Sequence, residues 1–230
     1  MINDILVSIV MRPGAERDDL ANTIASWDVQ CTAFDSGQAF LDAMPRQRPG
    51  CVVIDHDSPD VDGLALQQAL GMNLGALPQV IVSGRATASV AVKYMQDGAV
   101  TVLAKPCSPG DLKRAIEQAI SRDIRWADIQ QRLCALRLCE QSLTDRERMV
   151  NGMVVRGMPN KIIAREMSVS LRTVEHERAM VFQKFGVDTA AELAAKVTEL
   201  RVLTELLALG APSPERRPSG ASPSRMAIAC

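Results

Sequence analysis

Three polar side chains in the first half of the chain each close a short apolar run: Asp55 after Cys51–Ile54, Ser83 after Gln79–Val82 and Lys105 after Val100–Ala104. If those runs are strands of an open α/β sheet, a carboxylate, a hydroxyl and an ammonium meet at the carboxyl edge, where such sheets bind ligands. The set suits an aspartyl-phosphate, with Asp55 as nucleophile and with Lys105 and the Ser83 hydroxyl binding phosphoryl oxygens. Each residue alone is commonplace. Their joint position at strand ends is what carries information.

The elements needed to place them are legible from periodicity. Candidate strands are Ile5–Val10, Val29–Phe34, Cys51–Asp55, Gln79–Ser83 and Val100–Leu103, with helical stretches near Glu16–Trp27, Gly37–Met44, Gly63–Leu70 and Ala86–Asp97 between them. Strands alternating with amphipathic helices predict a five-stranded, doubly wound parallel α/β sheet. Ser108-Pro109-Gly110-Asp111 is a helix start, with Ser108 as cap and proline tolerated in the first turn. Neither Gly nor Pro occurs from Asp111 to Glu140, which allows one helix about 45 Å long. Leu112, Ile116, Ile120 and Ile124 form its apolar stripe, continued by Ile129, Leu133 and Leu136. Its second half reads equally well as packed on its own domain or as a connection that helps two chains dimerise.

Thr144-Asp145-Arg146-Glu147 is a capping box and opens an all-helical region. The expected organisation is thus residues 1–122 as the α/β domain, 109–141 as the connecting helix, 142–207 as the helical domain and 208–230, rich in Pro, Ser and Gly, as a disordered tail.

Of 230 residues, 47% are apolar and 23% charged, enough for ordinary cores. Aromatics are 3%, which argues against a protein that stacks single-stranded bases on aromatic rings. No apolar run approaches the roughly 18 residues of a membrane span, so a cytoplasmic protein with no membrane partner is expected. The six cysteines, Cys31, Cys51, Cys107, Cys134, Cys139 and Cys230, show neither C-x-x-C nor zinc-finger spacing. They read as buried or incidental thiols, and neither metal nor cofactor is expected. The net charge of −1 hides a shift towards positive values after residue 143, which permits contact with a polyanion without demanding it.

Residues 1–122 resemble the receiver domains of two-component response regulators. The resemblance runs through Asp55-His-Asp-Ser-Pro-Asp-Val-Asp-Gly63, Val-Ser83-Gly and Gly98-Ala-Val-Thr-Val-Leu-Ala-Lys105-Pro106. It implies Asp55 as the phosphoacceptor, Ser83 and Lys105 as its partners, a cis Lys105-Pro106 bond and a sensor histidine kinase or other regulatory partner. Two departures follow. The acidic pair that holds Mg²⁺ after the first strand is missing from Val7-Ser-Ile-Val-Met11-Arg12-Pro13-Gly14, and the aromatic switch position is Val102. Arg12 brings a cation to where the metal would sit, and is expected to pair with Asp55 or Asp57.

Residues 143–200 resemble the LuxR/FixJ-type (NarL-type) helix-turn-helix domain through Leu143-Thr-Asp-Arg-Glu147, Gly157, Asn160-Lys-Ile-Ile-Ala164, Ser170-Leu-Arg-Thr-Val-Glu175, Arg178, Val181 and Lys184-Phe-Gly186. Ser170 is the expected cap of the recognition helix. Val174, Val181 and Phe185 form its inward row and leave Arg172, Glu175, His176, Ala179 and Gln183 outward. Glu175 and His176 suit base edges in the major groove. Lys161, Arg172, Thr173 and Lys184 suit phosphates, and Arg178 and Ala179 complete the candidate DNA-binding set. A bland alternative has Glu175 and Arg178 merely paired on a solvated face. Pro159, His176 and Glu177 depart from the family pattern and bear on the target sequence rather than the fold.

The implied function is a dimeric transcription regulator that binds double-stranded promoter DNA, is not an enzyme, and has a receiver controlled without ordinary phosphorylation. Two other readings are a conventional regulator activated at Asp55 and an interaction module whose DNA binding is weak. An enzyme acting through Asp55 is disfavoured, because the metal ligands of phosphoryl chemistry are absent.

Overall fold

The computed structural model describes residues 5–43, 49–71 and 77–210; Cys230 and the tail expected beyond residue 210 lie outside them. The chain divides after Asp128 into two compact units.

The first unit contains β1 (Leu6–Val10), α1 (Ala15–Ala25), β2 (Gln30–Phe34), α2 (Gly37–Ala43), β3 (Gly50–Asp55), α3 (Gly63–Leu70), β4 (Gln79–Ser83), α4 (Ala88–Gln96) and β5 (Thr101–Ala104). It also holds the first part of α5 (Pro109–Gln141). The sheet is parallel, in the order β2-β1-β3-β4-β5. All five expected strands are present, each displaced by no more than one residue at an end.

Because side chains alternate across a strand, each inner strand feeds two cores. Val7, Ile9, Cys51, Val53, Val80 and Val82 pack with Ile24 of α1 and with Leu112, Ile116 and Ala119 of α5. Val10, Val52, Ile54 and Ile81 pack with Phe40 of α2, Leu66 of α3 and Tyr94 of α4. Each fully buried large side chain contributes about 1.5–3 kcal/mol. Strand order reverses between β1 and β3, so their carboxyl ends flank the crevice in which α/β sheets hold ligands.

The expected stripe on α5 fails at Ile124, which is 51% exposed. Its inward row passes through Asp123 instead, 1% exposed, whose Oδ2 accepts from the Gly50 N–H at 2.9 Å. A helix of 3.6 residues per turn drifts off a strict four-residue spacing; the buried carboxylate that continues the row satisfies the first amide of β3.

The second unit, Ile129–Leu209, holds the end of α5, α6 (Asp145–Val155), α7 (Asn160–Glu166), α8 (Leu171–Phe185) and most of α9 (Ala190–Gly210). Leu133 and Leu136 of α5 pack on Leu200 and Leu203 of α9. Of the two readings open for the second half of α5, the contacts of Leu133 and Leu136 match packing within the chain's own unit. The α9 helix also continues past Leu207, the boundary expected from the sequence. Thr144 caps α6 in the expected capping box with Glu147. Gly186, at φ +57, takes the left-handed conformation that ends α8.

Candidate functional site

Asp55 is the last residue of β3 and only 3% exposed. Its Oδ1 lies 2.8 Å from Lys105 Nζ and accepts from the Asp57 N–H at 3.0 Å, while its Oδ2 accepts from the Ser58 hydroxyl at 2.6 Å. Lys105 also reaches Glu16 Oε1 of α1 at 2.8 Å. Burial disfavours the Lys105 ammonium, but the hydrogen bonds and charges of Asp55 and Glu16 outweigh it and raise the pKa above the ordinary lysine value. The expected meeting of Asp55 and Lys105 therefore occurs, with Glu16 and Ser58 as partners that the sequence had not singled out. Ser58 lies only three residues from Asp55; Glu16 is brought in by packing of α1, which leaves no local signal.

Ser83 is placed differently from expectation. Its Oγ donates to Asp57 Oδ1 at 2.8 Å and accepts from the N–H groups of Arg85 and Ala86. Asp57 Oδ2 accepts from the Gly84 N–H at 2.6 Å, and Arg85 donates to the Asp57 carbonyl at 3.0 Å. Burial raises the Asp57 pKa, but the Gly84 amide, the Ser83 hydroxyl and the Lys105 and Arg85 charges prevail and hold it below the ordinary aspartate value.

Arg12 requires a correction. Its side chain is exposed and forms no ion pair among the described residues, because Asp55 is satisfied by Lys105 and Asp57 by the β4–α4 loop. Only the Arg12 backbone joins the site, donating to Ser58 Oγ at 3.1 Å. A Mg²⁺ ion demands about six oxygen ligands in octahedral array. The end of β1 offers the buried thioether of Met11 and the exposed guanidinium of Arg12. Among the described residues no three His, Cys, Asp or Glu side chains gather as an ion site. The residues present do not fit the metal.

The second site lies on α8. Ser170 caps the helix as expected, its Oγ accepting from the Thr173 N–H at 3.1 Å. Val174, Val181 and Phe185 are buried against Val150, Val154 and Ile163. Arg172, Glu175, His176, Ala179 and Gln183 are exposed, as are Lys161 and Ser170, with Thr173 partly covered.

Two candidate DNA contacts are half-buried and already have partners within the unit. Lys184 Nζ lies 2.6 Å from Glu147 Oε2 and 2.8 Å from the Ser142 carbonyl oxygen, so its ammonium already has two internal acceptors. The Lys184 hydrogen bond chiefly, with the Thr144 amide, overcomes burial and lowers the Glu147 pKa. Arg178 donates to Asn160 Oδ1 at 2.8 Å and lies over the Phe182 ring at 5.0 Å. It clamps α7 to α8 and does not pair with Glu175, so the bland reading of that face also fails.

Both domains have counterparts among known proteins. Residues 14–117 match the response regulator receiver domain, and residues 141–197 match the bacterial regulatory proteins of the luxR family. The chain is 35% identical to the transcriptional regulatory protein FixJ of Bradyrhizobium diazoefficiens, over 81% of this chain and 91% of that protein. It is 33% identical to the tetrathionate response regulatory protein TtrR of Salmonella typhimurium, over 76% and 82%. The structure of the response regulator StyR superposes with a TM-score of 0.77 at 28% identity, covering 85% of this chain and 99% of that one. With a carboxylate, hydroxyl and ammonium at the sheet edge and a capped helix turned outward from a separate helical unit, the chain belongs to the FixJ-type response regulators, transcription factors that join a receiver domain to a luxR-family DNA-binding domain.

Proposed function

We propose that α8 enters the major groove of promoter DNA, with Glu175, His176 and Ala179 at base edges and with Lys161, Ser170, Arg172 and Thr173 at phosphates. Two chains act as a homodimer on paired half-sites, as two-fold DNA readers of this type do. The protein works in the cytoplasm, as a regulator and not as an enzyme. The receiver, about residues 1–122, controls the DNA-binding domain, about residues 142–207, without depending on Mg²⁺-assisted phosphorylation of Asp55; a kinase or another partner reaches it by a different route.

One observation carries the DNA reading: Arg172, Glu175, His176 and Gln183 stand exposed on one face of α8 and form no side-chain hydrogen bond or ion pair among the described residues. Titration with promoter DNA tests it. Glu175→Ala or His176→Ala relaxes preference at single base pairs by about 1–3 kcal/mol, whereas Lys161→Ala weakens all sequences alike and reduces the salt slope by about one. Uniform weakening by Glu175→Ala, with preference intact, would remove that residue from the reading set. For the receiver, the protein is incubated with acetyl phosphate and Mg²⁺, then weighed intact and assayed on DNA. Stoichiometric phosphorylation that disappears in Asp55→Asn and raises DNA affinity would overturn the proposed control.

A further inference from the structure

We infer that Asp57 is an internal stand-in for a phosphoryl group: its carboxylate occupies the Ser83 hydroxyl, which a phosphorylated Asp55 is expected to recruit, together with the adjacent Gly84 amide, and so holds the β4–α4 segment engaged in the unmodified protein. The inference rests on the proposed phosphorylation-independent control and supplies its mechanism.

The donors at the sheet edge are divided between two carboxylates. Lys105 and Ser58 go to Asp55. The end of β4 goes to Asp57, with the Ser83 hydroxyl on Oδ1 at 2.8 Å and the Gly84 N–H on Oδ2 at 2.6 Å. Ser83 has one hydroxyl proton, and its oxygen already accepts from the Arg85 and Ala86 amides at 3.1 and 2.8 Å. That proton is therefore committed to Asp57. Arg85 closes the loop by donating to the Asp57 carbonyl and holding its guanidinium 3.7 Å from the carboxylate. An anion with two oxygens, fed by a hydroxyl, an amide and nearby cations, presents the same acceptor chemistry as a phosphoryl group. It does so without a covalent bond and without a metal.

The segment so held leads directly into α4, whose N-cap is Thr87. A second tie reaches the same helix from the residue between the two acids. His56 Nδ1 and the Tyr94 hydroxyl share a 2.9 Å hydrogen bond, with the rings edge-to-face. Tyr94 is fully buried, and its hydroxyl lies where a Cβ on Gly63 would approach to 2.4 Å. The β3–α3 loop therefore holds the segment leading into α4 through Asp57 and the last turn of α4 through His56. Val102 on β5 supplies no ring for that task.

Hydrogen–deuterium exchange on the full-length protein, without phosphodonor or DNA, tests the inference. Asp57→Ala and Asp57→Asn should each speed exchange of amides in residues 84–96 on the order of tenfold or more, the size expected for losing hydrogen bonds to a charged acceptor. Asp55→Asn should leave that segment as protected as in the parent. Amides of β1 and of α5 report whether each variant is folded; if Asp57→Ala is not, Asp57→Asn carries the same expectation. Unchanged protection in the folded Asp57 variant, or equal loosening by Asp55→Asn, would sink the inference. The readout needs neither DNA nor acetyl phosphate, so phosphorylation of the parent in the mass assay would defeat the proposed control separately.

Discussion

Lys184 offers the sharpest test of how far a helix-turn-helix resemblance can be trusted residue by residue. As a phosphate contact, its removal would leave stability alone and weaken binding to all sequences. As the partner of Glu147, its removal strands a carboxylate that is 4% exposed, while Lys184 itself is 23% exposed. Breaking a buried ion pair from one side costs about 3–5 kcal/mol, because the remaining charge is left desolvated. Lys184→Met should therefore destabilise the protein by about that amount in urea melts followed on the C-terminal unit. Adding Glu147→Gln removes the stranded charge and keeps an acceptor for the Thr144 N–H, now 2.6 Å from Glu147 Oε2. The double variant should recover most of the loss.

The pair also predicts a pH dependence. The Glu147 pKa is lowered by folding, so its contribution is fully present above the unfolded glutamate value of about 4.3. It disappears as pH falls through the lower folded value. In the double variant this part of the acid sensitivity should be gone. DNA titrations, run where Lys184→Met is still folded, should show an unchanged salt slope. A variant of normal stability with a slope reduced by about one would refute the structural role and restore Lys184 to the phosphate contacts.

Ser170→Ala removes the cap of α8 and should cost about 1 kcal/mol, seen as a lower midpoint in thermal melts of the full chain; an unchanged midpoint would mean that the Thr173 N–H finds another acceptor. Leu200→Ala should cost about 2–5 kcal/mol by opening the Leu133, Leu136 and Leu203 cluster, and a cost below 1 kcal/mol would show that the end of α5 has another cover. Gly63→Ala drives a methyl to 2.4 Å from the Tyr94 hydroxyl and should cost about 1–3 kcal/mol as overpacking. Because Tyr94→Phe also removes the hydrogen bond to His56, it should cost less in the Gly63→Ala background than in the parent, and an equal cost in both would refute the clash.

The sequence was most legible where a signal repeats. Near-continuous apolar runs located β1, β3 and β4, which lie between two helical layers, and shorter, interrupted runs located the edge strands β2 and β5. Caps located helix starts, since Ser108, Thr144 and Ser170 each carry an oxygen that the first turn requires. The α5 stripe was misjudged at Ile124 because a four-residue spacing was extended past the point where Asp123 takes the inward position. Pairings between distant residues were the least legible. The expectation that Arg12 pairs with Asp55 or Asp57 rested on its place where the metal would sit, and both carboxylates have other partners. The distant partners of Asp55, Asp57 and Glu147 are Lys105 just after β5, Ser83 and Gly84 at the end of β4, and Lys184 on α8, separated from them by tens of residues along the chain.

Lys105 and Lys184 show why that gap matters for function. Each falls in a motif position from which a phosphate contact is a natural reading, and each carries three N–H donors. In the folded chain Lys105 has two carboxylate acceptors, from Asp55 and Glu16, and Lys184 has one carboxylate and one carbonyl, from Glu147 and Ser142. What separates a lysine that meets a ligand from one that holds the fold is the number of acceptors already in reach and how much of the side chain is out of water. By that measure the exposed Lys161 and Arg172, with no internal acceptor among the described residues, are free to find DNA. Lys105 and Lys184 would first have to give up charge-assisted hydrogen bonds, each stronger than an ordinary one. At the receiver edge the same logic favours the carboxylate already in place: a phosphoryl group arriving on Asp55 must displace Asp57 from the Ser83 hydroxyl before it gains anything from it.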